Sequence, residues 1–351
     1  MGVGVTATQL SRWCLPTRAF STFALLALMA AALAPRSFAV TPCMEPVQCK
    51  SAMAFDGGRS LTLYVSAPLD RPQPDIRRAI VMVHGAEGNA ESYFRTAVRA
   101  ASMAAKATET LIVAPRFVER GDKQSVGDRE FFWSHGADWR AGDLSSRDAP
   151  PRVSSFAMME RLLARFADKR LFPNLTVLVL AGHSAGGQFV QRYAIGQPET
   201  PALDHLAMRY VVANPGSYLY LDARRPDPKK SGAFAVPPPS NCRSNHFKYG
   251  FEQPNAYFKA QEAEAMIERY RARSVIYLLG ETDTNPNAEN LSRTCAAMTQ
   301  GANRWARGKS FVAYMDAFHA PHAHRLVTVP QVGHTARGML QSPRGLAVLF
   351  D

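Results

Sequence analysis

The sequence lacks the residue spacings that commonly hold metal ions, since neither a C-x-x-C nor an H-E-x-x-H occurs in its 351 residues. It has no long Lys/Arg tract and no basic motif interleaved with aromatic residues, so its net charge of +12 does not indicate nucleic-acid binding. His319, His322 and His324 lie close together, but a metal site would need a fourth ligand, so a polar loop is the better interpretation. We therefore expect no metal, no other cofactor and no nucleic-acid partner.

No apolar run is long enough to cross a membrane, which takes about 20 residues. The apolar run near the N-terminus, residues 19–34, has 16 residues and follows two arginines. Ser37-Phe38-Ala39 then offers the small residues that a signal peptidase recognises. This arrangement predicts a secretory signal peptide, residues 1–39, rather than a transmembrane anchor. The predicted mature chain, residues 40–351, has no membrane anchor and is secreted or periplasmic.

The predicted mature chain has 312 residues and a net charge of +9. Its length suits a single catalytic domain of the α/β class, because such folds often exceed the usual ~150 residues per domain. The positive charge favours anionic partners and speeds their approach. An anionic substrate therefore stays open as an alternative, although a solvated basic surface explains the charge more simply.

Four cysteines remain after removal of the predicted signal peptide. An even number in an exported protein indicates two disulfides, for which three pairings are possible. We favour Cys43 with Cys49, which closes a short local loop, and Cys242 with Cys295, which ties two distant loops together.

Seven segments have the pattern of β-strands. Residues 61–65 alternate in polarity, as an outer strand does. The other six are continuous apolar runs, which suit strands covered on both faces: Ala79–Val83, Leu111–Ala114, Leu175–Ala181, Tyr210–Ala213, Val275–Leu279 and Leu326–Val329. Helical patterns lie between them, for example over residues 156–166, with Ser154 or Ser155 as the N-cap. The alternation predicts an α/β fold with a mostly parallel central sheet and helices on both faces.

Ser184 is the candidate nucleophile. It stands in the sequence Gly182-His183-Ser184-Ala185-Gly186, directly after a predicted strand and before a helix-compatible segment. A G-x-S-x-G in this strand–turn–helix context forms a sharp turn that exposes the serine at the C-terminal edge of a sheet. The glycines two residues on either side are needed because a Cβ there would collide with the crossing backbone.

The base and the acid that a nucleophilic serine requires should come later in the chain. His334 follows the last predicted strand, so it reaches the same sheet edge as Ser184. Asp283 and Glu281 both follow the strand at 275–279. We prefer Asp283 as the acid because it lies further out on the loop, with Glu281 as the competing candidate.

A developing oxyanion needs two preset N–H donors. Ala185 supplies one, since it follows the nucleophile at a helix N-terminus. The second should come from the loop after the strand at 79–83, where Ala86 is the best candidate and Glu87 the next. His84 in the same loop is expected to support it through hydrogen bonds.

The chain resembles secreted bacterial and fungal α/β-hydrolases and is distantly similar to polyester depolymerases and feruloyl esterases. The residues that carry the resemblance extend over most of the mature chain: His84-Gly85, Asn89-Ala90, Tyr93, Trp133, Trp139–Gly142, Gly182–Gln188, Arg192-Tyr193, Asn214–Tyr218, Gly280, Asp283, Gln300-Gly301, Arg304, Arg307-Gly308 and Val332–His334. The resemblance implies an α/β-hydrolase fold and hydrolysis, most often of carboxylic esters. Asp283 also fits the G-x-x-D form of the family.

These observations together predict a serine hydrolase that cleaves a small-molecule or polymeric ester through an acyl-enzyme. Glu87, Tyr93, Trp139 and Tyr218 are the candidates for substrate contact, and core packing is the alternative for each aromatic ring. Three other functions stay open: a depolymerase of an anionic or polyester polymer, including an acidic polyamide; an acyltransferase or lyase; and a binding protein on an inactive scaffold. The intact Ser, Asp and His argue against the last.

Overall fold

An eight-stranded, mostly parallel sheet forms the centre of the computed structural model, which describes residues 42–121, 126–238 and 242–351. The predicted signal peptide, residues 1–39, lies outside these ranges, and its removal stays a prediction. The strands are β1 (Lys50–Ala54), β2 (Ser60–Val65), β3 (Arg78–Val83), β4 (Thr110–Pro115), β5 (Val118–Glu119), β6 (Phe132–Trp133), β7 (Val177–His183), β8 (Ala207–Ala213), β9 (Arg225–Pro226), β10 (Phe234–Ala235), β11 (Ser274–Gly280) and β12 (Arg325–Val329).

The central sheet has the order β1-β2-β4-β3-β7-β8-β11-β12. The strands from β4 to β12 in this order are parallel, whereas β2 pairs antiparallel with both β1 and β4. The short strands β5 with β6 and β9 with β10 form two separate ladders. All seven predicted strands are present in the central sheet, and the predicted mostly parallel arrangement is confirmed.

Helices cover both faces of this sheet, as predicted. They are α1 (Ala90–Met103), α2 (Ser155–Phe166), α3 (Ala185–Gly196), α4 (Ala256–Lys259), α5 (Ala263–Ala272), α6 (Cys295–Met298), α7 (Arg304–Phe318), α8 (Ala336–Leu340) and α9 (Pro343–Phe350). Short 3-10 turns lie at Asp56–Gly58, Trp139–Ala141 and Pro201–Leu203. Ser154 is the N-cap of α2, since its side chain accepts a hydrogen bond from the Phe156 N–H at 3.1 Å. None of the helices in the described part of the chain is long and apolar enough to cross a membrane.

Strand β7 explains why a continuous apolar run forms a central strand. Leu178 and Leu180 point into the hydrophobic core that contains α2, α3, α5 and α7, whereas Val179 and Ala181 point into the core that contains α1, α8 and α9. Both faces of the strand are thereby buried. Strand β12 differs, because it lies at the edge of the central sheet, next to β11, and Leu326 on it is exposed.

Two disulfides join Cys43 to Cys49 and Cys242 to Cys295, the pairing that the sequence favoured. The first lies close to β1, an edge strand that the sequence analysis did not predict. The second ties a loop at residue 242 to the start of α6. That helix follows the segment after β11, from which the candidate acid comes.

Candidate active site

Ser184 lies at the turn between β7 and α3 with φ 59° and ψ −118°, a conformation that residues other than glycine rarely adopt. Close backbone contacts explain the glycines around it. A Cβ on Gly182 would lie 2.2 Å from the Gly186 carbonyl oxygen, and one on Gly186 would lie 2.1 Å from the Val83 carbonyl oxygen. The Ser184 N–H donates to the Ala213 carbonyl at 2.9 Å, which links the turn to β8.

Ser184, His334 and Asp283 form one hydrogen-bonded chain. The Ser184 Oγ lies 2.9 Å from His334 Nε2, and His334 Nδ1 lies 2.7 Å from Asp283 Oδ2. A carboxylate can only accept, so Nδ1 carries the ring proton and Nε2 is left to accept the serine proton. Asp283 is almost completely buried, whereas the His334 side chain is 26% exposed. Such an arrangement can activate a serine as a nucleophile, with the imidazole as base and the carboxylate as the group that orients it.

The loop after β11 presents its two acidic residues differently. The backbone of Asp283 is held on both sides: its N–H donates to the Gly280 carbonyl, and its carbonyl accepts from the Trp305 N–H, both at 3.1 Å. Glu281 is instead bonded to β12, where its Oε1 accepts from the Thr328 hydroxyl at 2.8 Å. Of the two candidates for the acid, Asp283 is therefore the one whose carboxylate reaches His334.

Asn214, which follows β8, joins the two loops that carry Asp283 and His334. Its Oδ1 accepts from the Gly280 N–H at 2.8 Å, and its Nδ2 donates to the Gly333 carbonyl at 3.2 Å. The side chain is buried, and the residue has a positive φ of 40°. The sequence analysis includes Asn214 in a segment that carries the family resemblance but gives it no role. An Asn-Pro-Gly directly after a buried strand is the sequence signal that could have identified it.

His183 is a neighbour of His334 to which the sequence analysis gave no role. Its ring lies against that of His334, with centroids 4.6 Å apart, and its Nδ1 lies 3.0 Å from the Tyr93 hydroxyl. Burial, together with the nearby His334 and Arg304, holds the pKa of His183 well below its usual value. His183 is thus a neutral, buried ring that packs on the base.

The loop after β3 lies next to the nucleophile turn. The close contact of Gly186 extends to the His84 carbonyl oxygen, which a Cβ would approach to 2.7 Å. His84 is buried and anchors the loop: the Phe117 N–H donates to its Nε2 at 2.9 Å, so Nδ1 carries the proton and donates to the Gly85 carbonyl at 2.6 Å. Burial lowers the pKa of His84 to about 4, which keeps the ring neutral.

Ala185 begins α3 directly after Ser184, and Ala86 lies in the loop after β3, where it is half-buried and packs against the hydrophobic core. Glu87 is exposed and accepts a hydrogen bond from the Asn89 side chain at 3.2 Å. The assignment of Ala86 and Ala185 as oxyanion donors, and of Glu87 as a substrate contact, stays a prediction.

The three aromatic residues predicted to contact substrate have buried side chains. Trp139 stacks on Phe117 with ring centroids 5.4 Å apart, and Tyr218 stacks on Phe311 at 4.6 Å. The Tyr93 hydroxyl lies 3.0 Å from His183 Nδ1. All three rings are therefore packed in the interior in this structure, which is the alternative that the sequence analysis gave for each of them.

The three clustered histidines each have other partners. His319 lies 2.8 Å from the Tyr314 hydroxyl, His322 bonds to Asp316, and His324 bonds to the Tyr270 carbonyl. Within the residues that the structure describes, no group of three or more His, Cys, Asp or Glu side chains could hold a metal ion.

The sequence profile described as "Alpha/beta hydrolase family" matches residues 80–349. No curated protein matches the chain.

Two solved structures are similar over almost their full length. Poly(aspartic acid) hydrolase-1 from Sphingomonas sp. KT-1 has 25% sequence identity and a TM-score of 0.60, over 86% of this chain and 98% of that one. LpqC, a poly(3-hydroxybutyrate) depolymerase from Bordetella parapertussis, has 22% identity and a TM-score of 0.59, over 88% of this chain and 94% of that one. The predicted resemblance to esterase-like and depolymerase-like hydrolases is confirmed.

Proposed function

The chain belongs to the alpha/beta hydrolase family, and from that premise we propose that it is a secreted serine hydrolase that cleaves a carboxylic ester. The observation that carries the proposal is the hydrogen-bonded chain from Ser184 through His334 to Asp283, with distances of 2.9 and 2.7 Å. Both distances lie within the range required for proton transfer during catalysis.

The proposed reaction passes through an acyl-enzyme. The Ser184 Oγ attacks the ester carbonyl carbon while its proton passes to His334 Nε2. Collapse of the tetrahedral intermediate breaks the bond to the alcohol, which leaves with the proton from His334. Water then attacks the acyl group by the same steps, and the carboxylic acid leaves.

The negative charge on the tetrahedral intermediate would be stabilised by the N–H groups of Ala185 and Ala86. Ala185 lies at the N-terminus of α3, where the helix dipole and the unpaired N–H groups favour an anion. Preset donors of this kind account for about 10²–10³ in kcat where one has been removed. Asp283 stabilises the imidazolium that forms on His334 at the same stage.

Secretion is part of the proposal. The predicted signal peptide and the two disulfides, Cys43–Cys49 and Cys242–Cys295, support an oxidising compartment. Secretion should remove the N-terminus near Ala39 and leave no free thiol. The intact mass of the exported protein under non-reducing conditions tests both statements, and a species that retains Met1 would contradict the first.

A fluorophosphonate probe tests the nucleophile. The purified protein should be labelled at Ser184, and Ser184→Ala should lose both labelling and turnover of nitrophenyl esters. Retention of full turnover by Ser184→Ala would end the serine-hydrolase proposal. Product analysis in water with added alcohol separates hydrolysis from acyl transfer, since an acyltransferase would form mainly the new ester.

A second candidate function is hydrolysis of an acidic polyamide. It is favoured by the similarity to the poly(aspartic acid) hydrolase at 25% identity and by the net charge of +9 on the predicted mature chain. Poly(aspartic acid), poly(3-hydroxybutyrate) and nitrophenyl acetate should be compared as substrates. If the acidic polymer is the substrate, its kcat/KM should fall steeply with added salt, whereas that of the neutral nitrophenyl ester should not.

A further inference from the structure

A buried arginine lies behind the candidate acid. Arg304 begins α7, and its side chain is 1% exposed. Its Nη1 lies 3.8 Å from Asp283 Oδ1, and its Nη2 donates to the Glu289 carbonyl at 3.1 Å. Its Nε and Nη1 have no hydrogen-bond acceptor among the described residues. A buried cation with unused donors is costly, so its position beside one carboxylate calls for an explanation.

The start of α7 fixes this arrangement. Asn303 is the N-cap, with its side chain accepting from the Ala306 N–H at 2.9 Å. The Trp305 N–H donates to the Asp283 carbonyl at 3.1 Å, so the first turn of the helix is bonded to the acid's own backbone. The two carboxylate oxygens of Asp283 therefore have separate neighbours: Oδ2 bonds to His334, and Oδ1 faces Arg304.

We propose that Arg304 is a positioning residue that orients the Asp283 carboxylate toward His334 and balances the negative charge of that carboxylate. The inference rests on the proposed function of these two residues. In the absence of Arg304, the Asp283 carboxylate would act on His334 without a counter-charge.

Three other titratable groups near the pair are buried and neutral. His183 packs on His334 from β7, and burial holds its pKa well below the usual value. Tyr93 on α1 and Tyr218 after β8 are buried, and burial raises the pKa of each hydroxyl. Arg304 is the cation that faces Asp283, whereas the Glu281 carboxylate accepts a hydrogen bond from Thr328 on β12.

The test is the pH dependence of kcat/KM for nitrophenyl acetate with the purified protein. In Arg304→Met, the acidic limb of the kcat/KM profile should move to higher pH by about one unit. A charge within a few ångströms of an ionisable pair shifts its titration by about this much. kcat should fall while KM stays unchanged. Arg304→Lys, which keeps the charge, should return the limb toward the wild-type position.

Arg307→Met is the matched control. Arg307 lies on the same helix and is equally buried, but its guanidinium donates to the carbonyls of Gly301, Gly216 and Ser292 and has no ion pair with Asp283. This variant should lower the melting temperature and leave the acid limb in place. Equal shifts in Arg304→Met and Arg307→Met would overturn the inference.

Arg304→Gln provides a second neutral variant if Arg304→Met does not fold. An unmoved limb in a folded neutral variant would contradict the inference. So would failure of both neutral variants to fold, since Arg304 would then serve the fold. The proposed function is judged separately: it fails if Ser184→Ala keeps turnover, whatever Arg304 does.

Discussion

The imidazole ring of His183 lies against that of His334, with centroids 4.6 Å apart and planes inclined by 33°. Because the Tyr93 hydroxyl holds Nδ1 of His183, this ring is a fixed surface on which the base rests. Replacement of His183 by Ala removes that surface and leaves His334 free to take other rotamers. We expect kcat to fall about tenfold with little change in KM, which corresponds to ~1.4 kcal/mol of transition-state stabilisation.

His183→Phe is the control for this prediction, because it keeps a flat ring and loses the bond to Tyr93. It should retain more of the activity than His183→Ala. Steady-state kinetics on both variants, after their melting temperatures have been compared with that of the wild type, decide the matter. If both lose the same activity, the hydrogen bond matters and the ring contact does not.

The assignment of the acid makes a sharp prediction. Asp283→Asn should keep the fold but lose the group that fixes the tautomer of His334 and stabilises the imidazolium, so kcat should fall roughly 10⁴-fold. Glu281→Gln should cost less than about tenfold, because its carboxylate is bonded to Thr328. An active Asp283→Asn together with an inactive Glu281→Gln would make Glu281 the acid.

Much of the fold could be predicted from the sequence because central parallel strands are buried on both faces and so appear as continuous apolar runs. Strand β1 could not be predicted in this way. Its sequence, Lys50–Ala54, is mostly exposed, with only Met53 buried, because it lies at the edge of the sheet. Edge strands are specified by their pairing with a neighbour, and a local pattern contains little of that information.

The residues of the candidate site also differ in whether a local sequence pattern indicates them. Ser184 and His334 stand in local patterns, a glycine-flanked turn and a loop after the last strand, so the sequence indicates them. The contact of Asn214 with Gly280 spans 66 residues, and the position of Arg304 beside Asp283 depends on how α7 docks. Such contacts depend on tertiary packing. Likewise, a sequence cannot distinguish an aromatic ring in a cleft from one in the core, so substrate contact and core packing both stay open for Trp139 at that level.

The buried His84 predicts a loss of stability in mild acid. Its pKa is about 4 in the folded protein, against about 6.5 for an unperturbed histidine, so the unfolded state binds more protons between these values. The free energy of unfolding should therefore fall as the pH drops from about 6.5 to 4, with His84 contributing a loss of about 3 kcal/mol.

Urea denaturation at pH 7, 5.5 and 4.5 measures this dependence. His84→Asn should have a flatter pH profile than the wild type, although its stability at pH 7 should be lower because the imidazole bonds to Gly85 and Phe117 are altered. His135→Asn is the control, since that side chain is exposed. The prediction is wrong if the wild type and His84→Asn lose the same free energy over this range.

The two disulfides should contribute unequally to stability. Cys242 and Cys295 are separated by 53 residues, whereas Cys43 and Cys49 are separated by 6. If a crosslink acts mainly by restricting the unfolded chain, loss of the longer loop costs about 4 kcal/mol and loss of the shorter about 2. Urea denaturation of the double variants Cys242→Ser/Cys295→Ser and Cys43→Ser/Cys49→Ser under non-reducing conditions gives both values. A larger loss for the Cys43–Cys49 pair would mean that this crosslink acts through the folded state, where it lies beside the edge strand β1.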